Sequence, residues 1–255
     1  MKRKPLMENT SRNISANETV DQKWSILYTL SGSLLILTAV LSFAAAYDAR
    51  ILYASGYPSD PAAYLQLVAQ HQTLAATTWG LWIVMDFLGL APTVAMYIIL
   101  QRHNRTLALL GGLLSLAYSI YDFGVTELNS LTLVSLSHEY ALAASETLRA
   151  PLLAAATYGY YALPLETVLS FAIGPLAYLL WCVPMARSFF GRWVAIVGVM
   201  VNIIGILGSA APLVPSSYFL GLCQFLCVRL IALWFIWVGV KLFRYGRRVH
   251  EPAGS

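Results

Sequence analysis

The sequence predicts an all-α polytopic membrane protein, a bundle of six transmembrane helices with an extra, partly helical outer segment. Of its 255 residues, 58% are hydrophobic and only 11% are charged. Soluble domains are about one quarter charged, and a helix needs about 20 apolar residues to cross a bilayer. The apolar residues of this chain form runs of that length, which leaves no room for a second sizeable soluble domain.

The apolar runs define a single transmembrane domain over residues 24–240. A polar tail precedes it over residues 1–23, and a basic tail follows it over residues 241–255. Both tails are predicted to be cytoplasmic. The six predicted spans cover residues 24–47, 74–100, 106–136, 165–185, 193–213 and 218–240.

The distribution of basic residues predicts the orientation. Thirteen of the 16 Lys and Arg residues lie in the two tails and in the short turns at residues 101–105 and 186–192. Six spans place all four of these segments on one side. Because basic loops face the cytoplasm, we expect both termini there. This pattern indicates topology and does not indicate binding to nucleic acid.

Two of the connecting segments have structure of their own in this prediction. Residues 48–73 form a loop that includes a short helix from Pro61 onward. The apolar part of the next outer segment, residues 151–163, is too short to span the membrane. It either lies at the membrane interface or extends the fourth helix outward until Pro164 breaks it.

Two stretches resemble an uncharacterised bacterial family of multipass membrane proteins, known as a domain of unknown function. They are NRTLALLGGLLSLAY at residues 104–118 and GPLAYLLWCVPMARSFFGRWVAIVGVMVNIIG at residues 174–205. The resemblance covers roughly the C-terminal half of the chain. It implies a prokaryotic inner-membrane protein and carries no implication about chemistry.

Charged residues within the spans are the candidate functional residues. With a rise of about 1.5 Å per residue, Asp86 lies roughly 18 Å and Arg229 roughly 16 Å below the outer boundary. An isolated charge at that depth costs about 3 kcal/mol or more. We therefore expect an Asp86–Arg229 ion pair, which acts either as a gate or as a structural clamp between helices.

Three further acids are predicted in the outer part of the membrane. Asp122 and Glu127 belong to the third span, and Glu166 begins the fourth. With Tyr118 and Tyr121 near Asp122, they suggest an outward-facing acidic cavity that binds an ion or a cationic ligand. In the alternative interpretation, Glu127 and Glu166 are simply solvated at the interface.

Other kinds of site are less well supported. His71 and His138 are weak metal-ligand candidates because no HxxxH or HExxH pattern pairs them, so no metal site and no cofactor are predicted. No motif places a catalytic nucleophile. The aromatic residues Trp79, Trp82 and Tyr160 either help to enclose a cation or belong to the interfacial belt.

Three functions are consistent with these patterns. The first is a non-enzymatic protein of the lipid bilayer that binds or translocates a small polar or cationic solute. The second is an accessory or assembly subunit, with an oligomer interface on the small-residue face Gly198, Asn202, Gly205 and Ser209. The third is an intramembrane enzyme that uses Asp122 and Glu166 as acid and base.

Overall fold

The computed structural model describes residues 6–54, 57–214 and 216–250, with side chains from residue 22 to residue 249. Helices account for nearly all of the described residues. The α-helices are α1 (Leu6–Leu52), α2 (Pro61–Gln70), α3 (Gln72–Leu100), α4 (Arg105–Tyr121), α5 (Leu128–Leu142), α6 (Glu146–Met185), α7 (Arg192–Ser209) and α8 (Tyr218–His250). A π-helical turn, Asp122–Glu127, joins α4 to α5, and a 3-10 turn, Ala211–Leu213, follows α7.

Six helical stretches of the described chain are long and apolar enough to cross a membrane. This number and the absence of strands among the described residues confirm the predicted all-α polytopic membrane class. The stretches are Gln22–Leu52, Gln72–Leu100, Arg105–Leu142, Glu146–Met185, Arg192–Leu213 and Tyr218–Val249. The first belongs to a helix that begins at Leu6, within the predicted N-terminal tail.

The spanning helices close into a ring. Each packs against two neighbours in the order α1, α3, α4, α6, α7, α8, and α8 returns to α1. Glycines bring α1 and α8 into backbone contact: a Cβ built on Gly32 would lie 2.5 Å from the Phe243 nitrogen. No seventh spanning helix of the described chain fills the centre of the ring, and a cavity lies there.

The third span is one continuous helical stretch with a local change of pitch. Asn104 starts α4, since its Oδ1 accepts a hydrogen bond from the Leu107 nitrogen at 3.0 Å. The π-helical turn then interrupts the α-helical spacing near the middle of the span. Side chains on the two sides of this turn therefore follow a different register from the one that a regular α-helix gives.

The fourth span corrects one expectation. Helix α6 runs without interruption from Glu146 to Met185 and contains Pro151 and Pro164. The outer segment thus extends the fourth helix, but the predicted break at Pro164 is wrong. A proline removes one backbone donor and crowds the preceding turn, yet spanning helices tolerate it when neighbouring groups satisfy the freed carbonyl.

Helix α2 lies at one end of the ring, beside α5 and α6. It begins where Asp60 Oδ1 accepts from the Ala63 nitrogen at 2.9 Å, and Pro61 occupies the first turn. Tyr64 is fully buried, and its burial raises the pKa of its phenol. Tyr160 OH donates to the Pro58 carbonyl at 2.6 Å, which ties α6 to the segment before α2.

The small-residue face of α7 is used inside the chain. A Cβ on Gly198 would lie 2.6 Å from Cys182 Sγ of α6, and one on Gly205 would lie 2.8 Å from Cys227 Sγ of α8. Asn202 and Ser209 are buried as well. Gly198 and Gly205 thus pack α7 against α6 and α8, and all four residues of this face are buried within the chain.

Candidate functional site

Three carboxylates converge at the centre of the ring. Asp86 of α3, Asp122 and Glu127 each offer an oxygen, and these oxygens all lie within 4.8 Å of one another. The three side chains are 8%, 6% and 1% exposed, respectively. Asp86 occupies the midpoint of α3, 14 residues from either end. The cluster therefore lies deep within the spanning region.

The π-helical turn brings Asp122 and Glu127 together. In an α-helix with 3.6 residues per turn, residues five apart differ by about 140° in direction. In a π-helix the hydrogen bonds connect residues five apart, so these side chains lie nearly above one another. The turn covers Asp122–Glu127 and therefore directs both carboxylates to the same face.

Hydroxyl groups surround the Asp122 carboxyl. Tyr118 lies one turn before it, Thr126 one turn after it, and Ser170 reaches it from α6. Ser115 and Thr93 share a hydrogen bond at 2.9 Å between α4 and α3, further along the same wall. Asp122 thus has three hydroxyl neighbours, whereas Asp86 and Glu127 each have a buried oxygen without a hydrogen-bond partner among the described residues.

Two carboxylate oxygens lack partners. Asp86 Oδ2 and Glu127 Oε2 are buried and have no hydrogen-bond partner among the described residues. Buried charged or polar groups without partners are costly. Because both oxygens belong to acids that face the same cavity, a cation located between them would satisfy them.

The cavity has a volume of about 390 Å³. Its described lining includes all three acids and contains no Lys, Arg or His. Pockets of about 300 to 1,000 Å³ are typical of small-molecule sites. Most of the wall is apolar and aromatic, formed by Trp79, Trp82, Tyr118, Phe171, Tyr178, Trp181, Trp234 and Phe235.

The predicted Asp86–Arg229 ion pair is wrong. The Arg229 guanidinium donates to the Phe225 carbonyl at 2.7 Å and lies 3.6 Å from the centroid of the Phe225 ring. Val228 and Ile231 line the cavity, but Arg229 does not. The prediction of this pair depends only on the similar depth of the two residues in the membrane. Depth does not determine which side of a helix a residue occupies.

Glu166 lies apart from the three clustered acids. Its Oε2 accepts from Asn129 Nδ2 at 2.8 Å, and the same amide group donates to the Gly159 carbonyl at 3.1 Å. Neither Glu166 nor Tyr121 lines the cavity. The structure thus separates both from the predicted acidic set, and Asp122 and Glu166 are not brought together as an acid and base pair.

The histidines do not join a ligand cluster. Within the described part of the chain, Asp86, Asp122 and Glu127 form the one group of three or more potential metal ligands, so neither His71 nor His138 belongs to such a group. The geometry of the three carboxylates is compatible with a metal ion as well as with an organic cation.

Several residues of the site were not predicted. Ser170, Phe171 and Tyr178 come from α6, and Ser170 lies one helical turn after Glu166. One feature of the sequence indicates this face of α6: Ser170 and Gly174, which are small residues, follow Glu166 at intervals of four. The pairing of α6 with α4, which decides that they face Asp122, is not visible in the sequence.

Comparison with known families gives one finding. A family model described as a domain of unknown function, DUF4386, matches residues 30–246, which is most of the chain. The predicted resemblance to an uncharacterised family is confirmed, and it extends well beyond the C-terminal half. Comparisons with curated proteins and with solved structures gave no match.

Proposed function

The chain belongs to the DUF4386 family, a domain of unknown function, and we propose from the geometry of its own residues that it binds a small cationic solute within the membrane. The site is the cavity inside the six-helix ring. Asp86, Asp122 and Glu127 supply the negative charge, and the aromatic wall encloses the ligand.

One observation supports this proposal above the others. Three buried carboxylates share a cavity whose described lining contains no basic side chain, and two of their oxygens have no partner. In a membrane interior such groups are expensive and are commonly functional. A bound cation offsets this cost because it supplies both the missing charge and the missing donors.

We include movement of the solute through the ring in the proposal. The cavity lining extends along α3 from Trp79 to Met96. At about 1.5 Å per residue this distance is roughly 25 Å, most of a bilayer core of about 30 Å. A solute bound at Asp86 would therefore lie on a path that reaches toward both ends of the ring.

Asp122→Asn gives the direct test. We would measure the thermal stability of the detergent-purified protein with a panel of amines and metal cations, because a ligand of the native state raises its stability by mass action. We expect a cation to raise the unfolding temperature of the wild type and to lose most of this effect in Asp122→Asn. The matched control is Glu166→Gln, which changes an acid outside the cavity and should respond like the wild type.

Two results would contradict the proposal. A ligand response that is equal in the wild type and in Asp122→Asn would place binding elsewhere. The absence of any response, together with stoichiometric partner proteins retained through purification, would favour the accessory-subunit function. A positive result would lead to uptake measurements in liposomes.

The membrane and orientation are part of the same proposal. We place the protein in the prokaryotic inner membrane with both termini in the cytoplasm. The turns that carry Arg102 and Arg187 lie at the end of the ring opposite α2. Because basic residues are enriched in cytoplasmic loops, we assign this end to the cytoplasm. Reporter fusions at the C-terminus that are active only outside the cytoplasm would contradict the orientation.

A further inference from the structure

We infer that the solute is a primary ammonium ion attached to an apolar or aromatic body. The inference rests on the proposed function and adds the chemical class of the ligand. It depends on the match between three acceptors and three donors, and on the space that remains beside them.

The acids fit the head of such a ligand. A primary ammonium group has three N–H donors, as the side chain of lysine does. With charged N–H···O distances of about 2.8 Å and tetrahedral directions, the three acceptor oxygens would lie about 4.6 Å apart. The oxygens of Asp86, Asp122 and Glu127 lie within 4.8 Å of one another, one on each side chain. This upper limit allows one ammonium nitrogen to contact all three.

The orphaned oxygens point to the same ligand. Tyr118 and Ser170 lie beside the Asp122 carboxyl, and Asp122 lines the cavity. Asp86 Oδ2 and Glu127 Oε2 have no partner among the described residues, although their side chains are more than nine-tenths buried. These oxygens need a positive charge or donors, which a bound ammonium group supplies in place of water or protonation of the acids.

The remaining wall fits the body of an amine better than a metal ion. Calcium binds six to eight oxygens, and magnesium requires near-octahedral oxygen coordination. Beyond the acids and their hydroxyl neighbours, the wall is formed by large apolar groups such as Trp82, Phe171 and Phe235. A metal ion would make no use of this surface. An aromatic or aliphatic body would bury against it, and the carbons next to the nitrogen would lie near ring faces.

The arrangement predicts selectivity among amines. Replacing all three N–H hydrogens by methyl groups keeps the charge but removes the three donors. The carboxylates would then lose water and gain no hydrogen bonds from the ligand. Sites that hydrogen-bond a ligand strongly reject analogues that lack the donor. We expect a primary amine to bind at least tenfold more tightly than its trimethylated form.

The experiment compares ligands of one shape by titration calorimetry on the full-length, detergent-purified wild type at fixed pH and salt. The ligands are 2-phenylethylamine, its N,N,N-trimethyl derivative, 2-phenylethanol, and the chlorides of calcium, magnesium and manganese. We expect binding of the primary amine, at least tenfold weaker binding of the trimethyl form and no measurable binding of the alcohol or the metals. Glu127→Gln should weaken amine binding at least tenfold, with Glu166→Gln as the matched control.

Each alternative result has a defined meaning. Equal binding of the primary and trimethyl amines would overturn the three-donor inference and leave the proposed cation site intact. Binding of metals without amines would do the same and identify the cluster as a metal site. Binding of no cation by the wild type would overturn both proposals. The comparison among ligands uses the wild type alone, so it does not depend on whether a variant folds.

Discussion

Two sides of the helix ring are built in opposite ways. Where α1 meets α8, glycines bring backbones together, and a Cβ on Gly32 would lie 2.5 Å from the Phe243 nitrogen. On the α3 side, a Cβ on Gly89 would have no neighbouring atom within 4 Å, and this glycine lines the cavity. The first side uses small residues to remove space, and the second retains space around charged side chains.

This difference shows how a six-helix chain can hold a polar site in a membrane. Apolar burial gives little force between helices in lipid, so close packing supplies much of the stability. Such packing includes the α7–α8 pair, where Trp234 Nε1 donates to the Val194 carbonyl at 2.9 Å. The cavity side can then carry unpartnered carboxylates. Four substitutions test this division.

Gly32→Ala should have the largest effect. The added methyl group would meet backbone atoms of α8, which no side-chain rotation can relieve. We expect a loss of about 3 kcal/mol in the free energy of unfolding, at the upper end for overpacked cores. Unfolding in mixed detergent micelles would measure it. A loss of less than about 1 kcal/mol in the free energy of unfolding would show that α1 and α8 can move apart to accommodate the methyl group, and that their contact is not rigid.

Asn129→Ala should have the next largest effect. It removes the donor to Glu166 Oε2 at 2.8 Å and to the Gly159 carbonyl at 3.1 Å. We expect a loss of about 1 to 3 kcal/mol, since the two acceptors lose their partner. Amine affinity should stay within about twofold, because Asn129 does not line the cavity. Thr132→Ala, an exposed neighbour on α5 with only a local hydrogen bond, is the control.

Gly89→Ala should increase stability. No atom lies within 4 Å of the new methyl group, and alanine is favoured over glycine in a helix by up to about 1 kcal/mol. The same unfolding measurement would detect the gain. A loss of stability as large as that of Gly32→Ala would mean that the α3 side is packed as closely as the α8 side.

Arg229→Leu should have the smallest effect. The guanidinium contacts its own helix at the Phe225 carbonyl and stacks on the Phe225 ring, and no acid pairs with it among the described residues. We expect a change within about 0.5 kcal/mol and an unchanged amine affinity. Breaking a buried ion pair costs about 3 to 5 kcal/mol. A loss of that size would restore the Asp86–Arg229 pairing.

Sequence reasoning predicted the residues of the site better than it predicted their partners. Asp86, Asp122 and Glu127 stand out because charged residues are rare and costly in apolar helices. The sequence predicts an ion pair between Asp86 and Arg229 and a position for Glu127 in the outer part of the membrane. Depth along a helix follows from counting residues, but direction around the helix depends on local pitch and on the neighbouring helix, which the counting ignores.

The pattern of apolar residues is enough to predict the number of membrane-crossing helices and the class of the protein. In lipid, long apolar runs must form helices whatever their neighbours, because every backbone N–H and C=O group needs a hydrogen-bond partner within the segment. The shared cavity of Asp86, Asp122 and Glu127 is visible only once the chain is folded. That outcome required the π-helical turn to align two acids and the closure of the ring to bring α3 beside them. The closure of the ring depends on contacts between residues far apart in the chain.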